Sequence, residues 1–284
     1  MRIWVTGANG LLGSAVLKLL RAQNIPHAGS TKSQANVANL NSAAAFCRSY
    51  GPFTHIINCA AYTAVDAAES NQKEAQMANG LAPALLGLFA ANANMRLIHL
   101  STDYVFDGNA SAPYQEDHAP APKNVYGITK AEGEQRLLAL VPDACVIRTS
   151  WLFGKGGKNF AASMLEKMKT QEEVHVVTDQ RGKPTYVDDL AAVILKALNW
   201  SGIYHVADSG EVSRFQFAEA IREEALAQGV PLLCKRIIPV LSDEFPTAAK
   251  RPSYSVLNTE KAEKKLNASL PSWKEGLKQM VAGV

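Results

Sequence analysis

The sequence predicts an α/β fold, a doubly wound parallel sheet followed by a smaller C-terminal domain that interleaves with the end of the sheet. Three observations carry this. Short apolar runs alternate with helix-length amphipathic segments through the first 150 residues. A glycine-rich turn joins the first apolar run to the first helix. Beyond residue 150 the alternation loosens and proline becomes more frequent. Alternation at this spacing gives a parallel sheet covered on both faces, because right-handed crossovers lay helices on either side.

The elements follow in order. Residues 2–5 read as a buried strand, and 11–23 as a helix with Leu12, Val16, Leu19 and Leu20 on one face. A second strand is expected at 26–29 and a helix at 42–50. The series continues with a strand at 55–58, a helix at 74–91, a strand at 96–100, a helix at 124–140 and a strand at 144–149. The second half predicts helices at 159–169, 188–198 and 215–227, strands at 174–177 and 203–206, and a terminal helix at 273–280. Pro239, Pro246 and Pro252 punctuate the stretch before that last helix. The expected division is a sheet domain at 1–150, with 171–207 returning to it, and a second domain made of 151–170 and 208–284.

Composition excludes several classes. Of 284 residues, 47% are hydrophobic and 19% charged, too apolar for a disordered chain. A net charge of +3 is too small to argue for nucleic acid. No apolar run approaches the ~20 residues that span a bilayer, so no membrane partner is expected. The apolar start breaks at Thr6-Gly7 too early for a secretory leader. Cys47, Cys59, Cys145 and Cys234 are widely spaced, with no zinc spacing to a histidine. Free thiols in a reducing compartment, the cytoplasm, are expected, and no metal site. The first 65 residues hold Arg2, Lys18, Arg21, Lys32 and Arg48 but no Asp or Glu.

That acid-free segment contains Gly7-Ala8-Asn9-Gly10-Leu11-Leu12-Gly13 at the first strand–helix junction. Gly7 permits a tight turn, Gly10 lets the backbone approach a pyrophosphate, and Gly13 allows close helix–strand packing. The start of the helix then faces the phosphate charge, as in Rossmann-like sheets. NAD binders place an acid about 20 residues on, for the ribose 2′-hydroxyl. Here the second strand ends in Gly29-Ser30-Thr31-Lys32-Ser33. Nothing repels a 2′-phosphate, and Ser30 and Lys32 are placed to meet one. NADPH is the expected cofactor, with NADH second.

Tyr126 and Lys130 stand four apart, on one face of the predicted helix. A nearby ammonium favours phenolate, so Lys130 is expected to lower the Tyr126 pKa. Ser101-Thr102-Asp103-Tyr104 follows a strand whose carboxyl end points into the ligand crevice, which puts Thr102 in the same site. The histidines at 27, 55, 99, 118, 175 and 205 form no close pair. His55, His99 and His205 are expected to be partly buried and hydrogen-bonded. No G-x-S-x-G elbow occurs.

Together these parts resemble the extended short-chain dehydrogenase/reductase superfamily. Six blocks narrow the resemblance to the dTDP-4-dehydrorhamnose reductases. They run from Ala61 to Glu69, Ser101 to Gly108, Asn124 to Glu134, Arg148 to Gly154, Asp179 to Thr185 and Phe245 to Leu257, in order along nearly the whole chain. The resemblance implies NAD(P)H-dependent reduction of the C4 ketone of dTDP-4-dehydro-β-L-rhamnose. It implies Tyr126 as proton donor, Lys130 as its tuner and the holder of the nicotinamide ribose, and Thr102 as a hydrogen-bond partner of the substrate oxygen. Ala60, Ala61 and Tyr62 would line the cofactor groove, and the second domain would bind substrate. Asp103, Tyr104 and Trp151 would meet the sugar nucleotide, with burial of Trp151 as core the other reading. Arg251 reads either as a diphosphate contact or as a surface ion pair.

The chain departs from the family at Asn36-Val37, where many relatives have Asp, and at Ser14, where some carry a Glu implicated in metal-assisted dimerisation. A monomer or a homodimer is expected. Lys155-Gly-Gly-Lys158 lacks P-loop spacing. Other readings are a nucleotide-sugar epimerase or reductase of different specificity, or a non-catalytic NADP-binding regulatory subunit like that of methionine adenosyltransferase. The set Thr102, Tyr126 and Lys130 favours an enzyme.

Overall fold

The computed structural model describes residues 1–282. In chain order, β1 (Ile3–Thr6) leads to α1 (Leu11–Ala22), β2 (His27–Ser30) to α2 (Leu40–Tyr50), and β3 (His55–Asn58) to α3 (Val65–Ser70) and α4 (Gln72–Ala75). A π-helical turn (Gln76–Leu81) joins α4 to α5 (Ala82–Asn92). Then come β4 (Arg96–Thr102), a 3-10 turn (Asp103–Val105), α6 (Val125–Leu140) and β5 (Cys145–Thr149). The remainder contains β6 (Leu152–Phe153), α7 (Phe160–Thr170), β7 (Glu173–Val177), β8 (Arg181–Gly182), β9 (Thr185–Tyr186), α8 (Val187–Lys196), β10 (Gly202–His205) and β11 (Val212–Ser213). It closes with α9 (Arg214–Ala227), β12 (Arg236–Val240), α10 (Glu260–Leu266) and α11 (Trp273–Val281).

Six parallel strands form the main sheet in the order β10-β5-β4-β3-β1-β2. The two-residue period of the strands divides the core. Ile3, Val5, Ile57, Ile98 and Ile147 face one apolar layer with α1 and α8. Trp4, Ile56, Leu97 and Val146 face the other, with Phe46 of α2, Leu86 of α5 and Leu137 of α6. Helix starts are fixed locally by their caps. Asn39, Asn124 and Asn159 accept first-turn N–H groups of α2, α6 and α7, and Ser213 with Gln216 forms a capping box on α9.

The doubly wound prediction holds, with three differences in detail. The expected helix at 74–91 is broken by the π turn, and α3 stands ahead of it. The strand Glu173–Val177 does not join the main sheet; it pairs with Arg236–Val240, while Gly202–His205 lies beside β5. Short paired segments around residues 152, 181, 185 and 212 are fixed by partners distant in sequence.

Candidate active site

The parallel strands are added outward from β1, β2 on one side and β3 on the other, and the first glycine turn lies at that switch point. Gly7 has φ +65°, and a Cβ there would stand 2.9 Å from the Cys59 carbonyl and the Ala60 nitrogen. The Gly10 N–H donates to the Gly7 carbonyl at 2.9 Å. A Cβ on Gly13 would meet that same carbonyl at 2.1 Å. Helix α1 starts after Gly10 with no side-chain cap and no acid in its first turn. The first N–H groups of a helix have no intrahelical partner, so those of Leu11, Leu12 and Gly13 are offered to an anion. The Leu12 side chain is buried core and contributes only its backbone. Asn9 is exposed on the rim of the turn, and Ala60, Ala61 and Tyr62 are half-buried on the β3 side. This cradle fits a dinucleotide pyrophosphate.

Ser30 does not take the place expected of it. It is fully buried, and its hydroxyl accepts the Trp4 indole N–H at 2.8 Å, which ties β2 to the core. Lys32 is exposed in the following loop, beside the paired Thr31 and Ser33 hydroxyls.

The second half of the site is built where β4 ends. The Thr102 hydroxyl accepts from the Tyr104 N–H at 3.2 Å and donates to Asp103 Oδ1 at 3.0 Å. Helix α6 is pinned against this turn at its first residues. Asn124 accepts from the Gly127 N–H at 2.8 Å, and Glu69 of α3 accepts from the Val125 N–H at 2.8 Å. A Cβ on Gly127 would lie 2.1 Å from the Tyr104 carbonyl oxygen. That approach brings the Tyr104 and Tyr126 rings edge to face, 5.8 Å between centroids, with Thr102 beside the Tyr126 phenol.

The expected lowering of the Tyr126 pKa is not what this geometry produces. Burial raises the phenol, Thr102 opposes the rise, and Asp103 and Tyr104 add to it. Lys130 is absent from these influences because its amine turns the other way, donating to the Leu100 carbonyl and lying 3.3 Å from His99 Nε2. Burial pulls Lys130 down to about 8, against the pull of Glu134 and Cys59. Burial also lifts Asp103 to about 6, opposed by Ser255, Thr102 and Arg214. Helical spacing aligns the two Cα atoms; it does not aim the lysine.

Around Tyr104 stand two arginines. Arg214 opens α9 and lies over the Trp151 ring, 3.6 Å from its centroid. Trp151 has φ +47° and packs so closely on Gly182 that a Cβ there would stand 2.5 Å from the ring. Its ring therefore packs against both Arg214 and Gly182. Arg251 forms the ion pair of its two readings, gripping both Asp66 oxygens at 3.1 and 2.7 Å, and Ala249 N–H joins the same carboxylate at 3.1 Å. The pair is partly buried, and Arg251 also acts on Tyr104.

Arg214, Asp66 and Asn79 stand at this candidate site although sequence reasoning missed them. Asn79 lies in the π turn, fully buried, accepting from the Tyr62 N–H at 2.8 Å and donating to the Tyr62 carbonyl at 3.0 Å and to Thr129 at 3.3 Å. π turns recur at functional sites, and the asparagine here ties the segment after β3 to α6. Asp66 and Glu69 did stand inside a recognised block, yet nothing in that block names partners 185 and 56 residues away.

The family described as "RmlD substrate binding domain" matches residues 1–284. The spore coat polysaccharide biosynthesis protein SpsK of Bacillus subtilis is 36% identical, over 98% of this chain and 96% of its own. A dTDP-4-dehydrorhamnose reductase of Mycolicibacterium smegmatis is 36% identical over 100% of this chain and 86% of its own. The crystal structure of a Bacillus anthracis dTDP-4-dehydrorhamnose reductase in complex with NADP superposes with a TM-score of 0.92 at 35% identity, covering 100% of this chain and 99% of that one. The chain belongs to the RmlD substrate binding domain family, that of the dTDP-4-dehydrorhamnose reductases.

Proposed function

We propose that the chain reduces the C4 ketone of dTDP-4-dehydro-β-L-rhamnose to dTDP-β-L-rhamnose, preferring NADPH and accepting NADH. One observation carries the reading: Thr102, Tyr104 and Tyr126 converge at the carboxyl end of β4, on the same edge of the sheet as the glycine cradle. When bound, the dihydronicotinamide supplies hydride to the carbonyl carbon. Tyr126, kept protonated by its burial, gives its phenolic proton to the developing alkoxide, which is a stronger base than phenolate. Thr102 turns its hydroxyl from Asp103 to the same oxygen. Lys130 holds the nicotinamide ribose. Trp151, Arg214 and Arg251 come from 151–170 and 208–284, the part we assign to the sugar nucleotide. Exposed Lys32, with no acid at the end of β2, supports the preference for a 2′-phosphate. We place the enzyme in the cytoplasm, acting on a small nucleotide sugar as a monomer or homodimer.

The test is a coupled assay with the enzymatically prepared 4-keto sugar, following loss of reduced-cofactor absorbance. NADPH oxidation is expected to outrun NADH oxidation, and no turnover with either removes the assignment. Tyr126→Phe is expected to lower kcat by about 10²–10⁴-fold while NADPH still binds in a fluorescence titration. Undiminished turnover in that variant strips Tyr126 of its proton-donor role.

A further inference from the structure

A row of polar side chains crosses the apolar sheet beneath the site. Register places Thr6 of β1 opposite Asn58 of β3, and Asn58 opposite His99 of β4. Thr6 Oγ1 donates to Asn58 Oδ1 at 2.7 Å, and Asn58 Nδ2 lies 3.0 Å from His99 Nδ1. His99 Nε2 lies 3.3 Å from Lys130 Nζ. None of the four is more than 2% exposed. The far end returns to the cofactor groove, where the Ala60 N–H donates to Thr6 Oγ1 at 3.2 Å. Three adjacent strands each bury a polar group at one level, which is costly unless every group is bonded. The row ends on the amine of Lys130.

We propose that His99 is a positioning residue for Lys130, and that Thr6, Asn58 and His99 together set both the place and the proton of its amine. The groups facing Lys130 are His99 and the Leu100 carbonyl from β4, Glu134 from its own helix and Cys59 from the end of β3. His99 stays neutral, since burial and Lys130 hold it well below the usual imidazole range. A neutral imidazole carries one proton, on one nitrogen. When Lys130 is an ammonium, it donates to Nε2, the proton sits on Nδ1, and Asn58 must turn its oxygen toward His99. When Lys130 is a neutral amine, Nε2–H donates to it and Nδ1 accepts from Asn58 Nδ2. The second arrangement matches Thr6 donating to Asn58 Oδ1. The row therefore has two proton registers, and each goes with one charge state of Lys130.

The proposal rests on the role given to Lys130 in the reduction, but its test needs neither cofactor nor sugar. Lysine-labelled, cofactor-free protein is titrated by NMR, with Lys130→Met assigning the resonance. The amine is expected to titrate near pH 8. In His99→Phe the ammonium loses one of its two acceptors and keeps the Leu100 carbonyl, and the midpoint falls by roughly one unit. His99→Gln, whose amide oxygen can accept at the same place, restores most of the shift. Asn58→Asp moves the midpoint upward, because the carboxylate fixes the proton on Nδ1 and leaves Nε2 free to accept. This near-isosteric change is readable even if the phenylalanine variant does not fold. In the double variant Asn58→Asp/His99→Phe the upward shift is expected to shrink, or in Asn58→Asp/His99→Ala where the phenylalanine fails. An unchanged midpoint in His99→Phe overturns the proposal, as does an Asn58→Asp shift of the same size with and without the imidazole. Failure of turnover with the keto sugar would instead overturn the reductase reading and leave the titration standing.

Discussion

A methyl group on Gly127 would stand 2.1 Å from the Tyr104 carbonyl oxygen, and neither partner is a flexible side chain. Gly127→Ala must push the start of α6 away from the turn after β4, and Tyr126 moves with it. Overpacking of this kind costs about 1–3 kcal/mol. Displacing a catalytic group by ~1 Å can cost about 10²-fold in rate. Urea denaturation is expected to show the stability loss, and steady-state kinetics a fall in kcat of roughly 10–100-fold. The KM for NADPH should change less than kcat, since the glycine cradle touches none of the displaced atoms and only the Lys130 contact lies on α6. A kcat equal to that of the parent would mean that the close approach does not position Tyr126. At this scale the sequence exposes those residues whose chemistry depends on local spacing: the glycines of the turn, Thr102 at a strand end, and Tyr126 with Lys130 one turn apart. Arg214 and Asp66 stay hidden because their roles are contacts across the fold. Ser30 was misplaced because position at a strand end does not reveal which face its hydroxyl takes.

Helix α6 is the element on which the site depends, and four separate ties hold it: the Asn124 cap, Glu69 on the Val125 N–H, Asn79 on Thr129, and the ion pair between Glu134 and Arg148 of β5. The pair is bidentate, at 2.7 to 3.0 Å, and its side chains are only 2% and 3% exposed. A buried pair is weak evidence for stability in itself, but removing one partner leaves a buried charge alone. Glu134→Ala is therefore expected to lower unfolding free energy by about 3–5 kcal/mol, read from the urea midpoint. The double change Glu134→Leu with Arg148→Met should recover most of it. A loss that persists in the double variant would locate the defect in packing rather than in the orphaned guanidinium. Helices such as α1 and α8 were legible because an apolar stripe repeats every turn. The stretch 74–91 reads as one helix despite Gly80 and Pro83, because most of its other residues are strong helix formers. Its π turn is made by tertiary bonds from Asn79 to Tyr62 and Thr129, which no local pattern encodes. The six residues of α3 are too few to show a period.

For the molecule as a whole, the doubly wound sheet was legible because its strands alternate faces and its crossovers have one allowed hand. The second half was less so, because Glu173–Val177 finds its partner at Arg236–Val240 while Gly202–His205 returns to the main sheet. Asp208 sits just beyond that returning strand, 1% exposed, and accepts the Tyr186 N–H at 2.7 Å where α8 begins. It thereby joins the edge of the sheet to the helix packed on α1. Burial lifts its carboxyl to about 8, with Asp189 adding to the rise and the Tyr186 N–H opposing it. In the unfolded chain an aspartate titrates near ~3.9. Between those values the folded state holds a proton that the unfolded state has released, so stability falls as pH rises through the interval. Other groups overlap this interval. Burial lowers His55, His99 and His205, so stability rises with pH until the unfolded histidines, near ~6.5, have released their protons. Asp103 and Asp189, lifted to about 6, and Lys130, lowered to about 8, titrate at its two edges. All of these are shared with Asp208→Asn, so the difference between the two proteins isolates Asp208, at up to about 1.4 kcal/mol per pH unit. Between about pH 6.5 and 8 the melting temperature of the parent is expected to fall relative to that of Asp208→Asn, whose amide oxygen still accepts from Tyr186. Parallel slopes in the two proteins would show that the carboxyl at the sheet edge is already ionised at neutral pH.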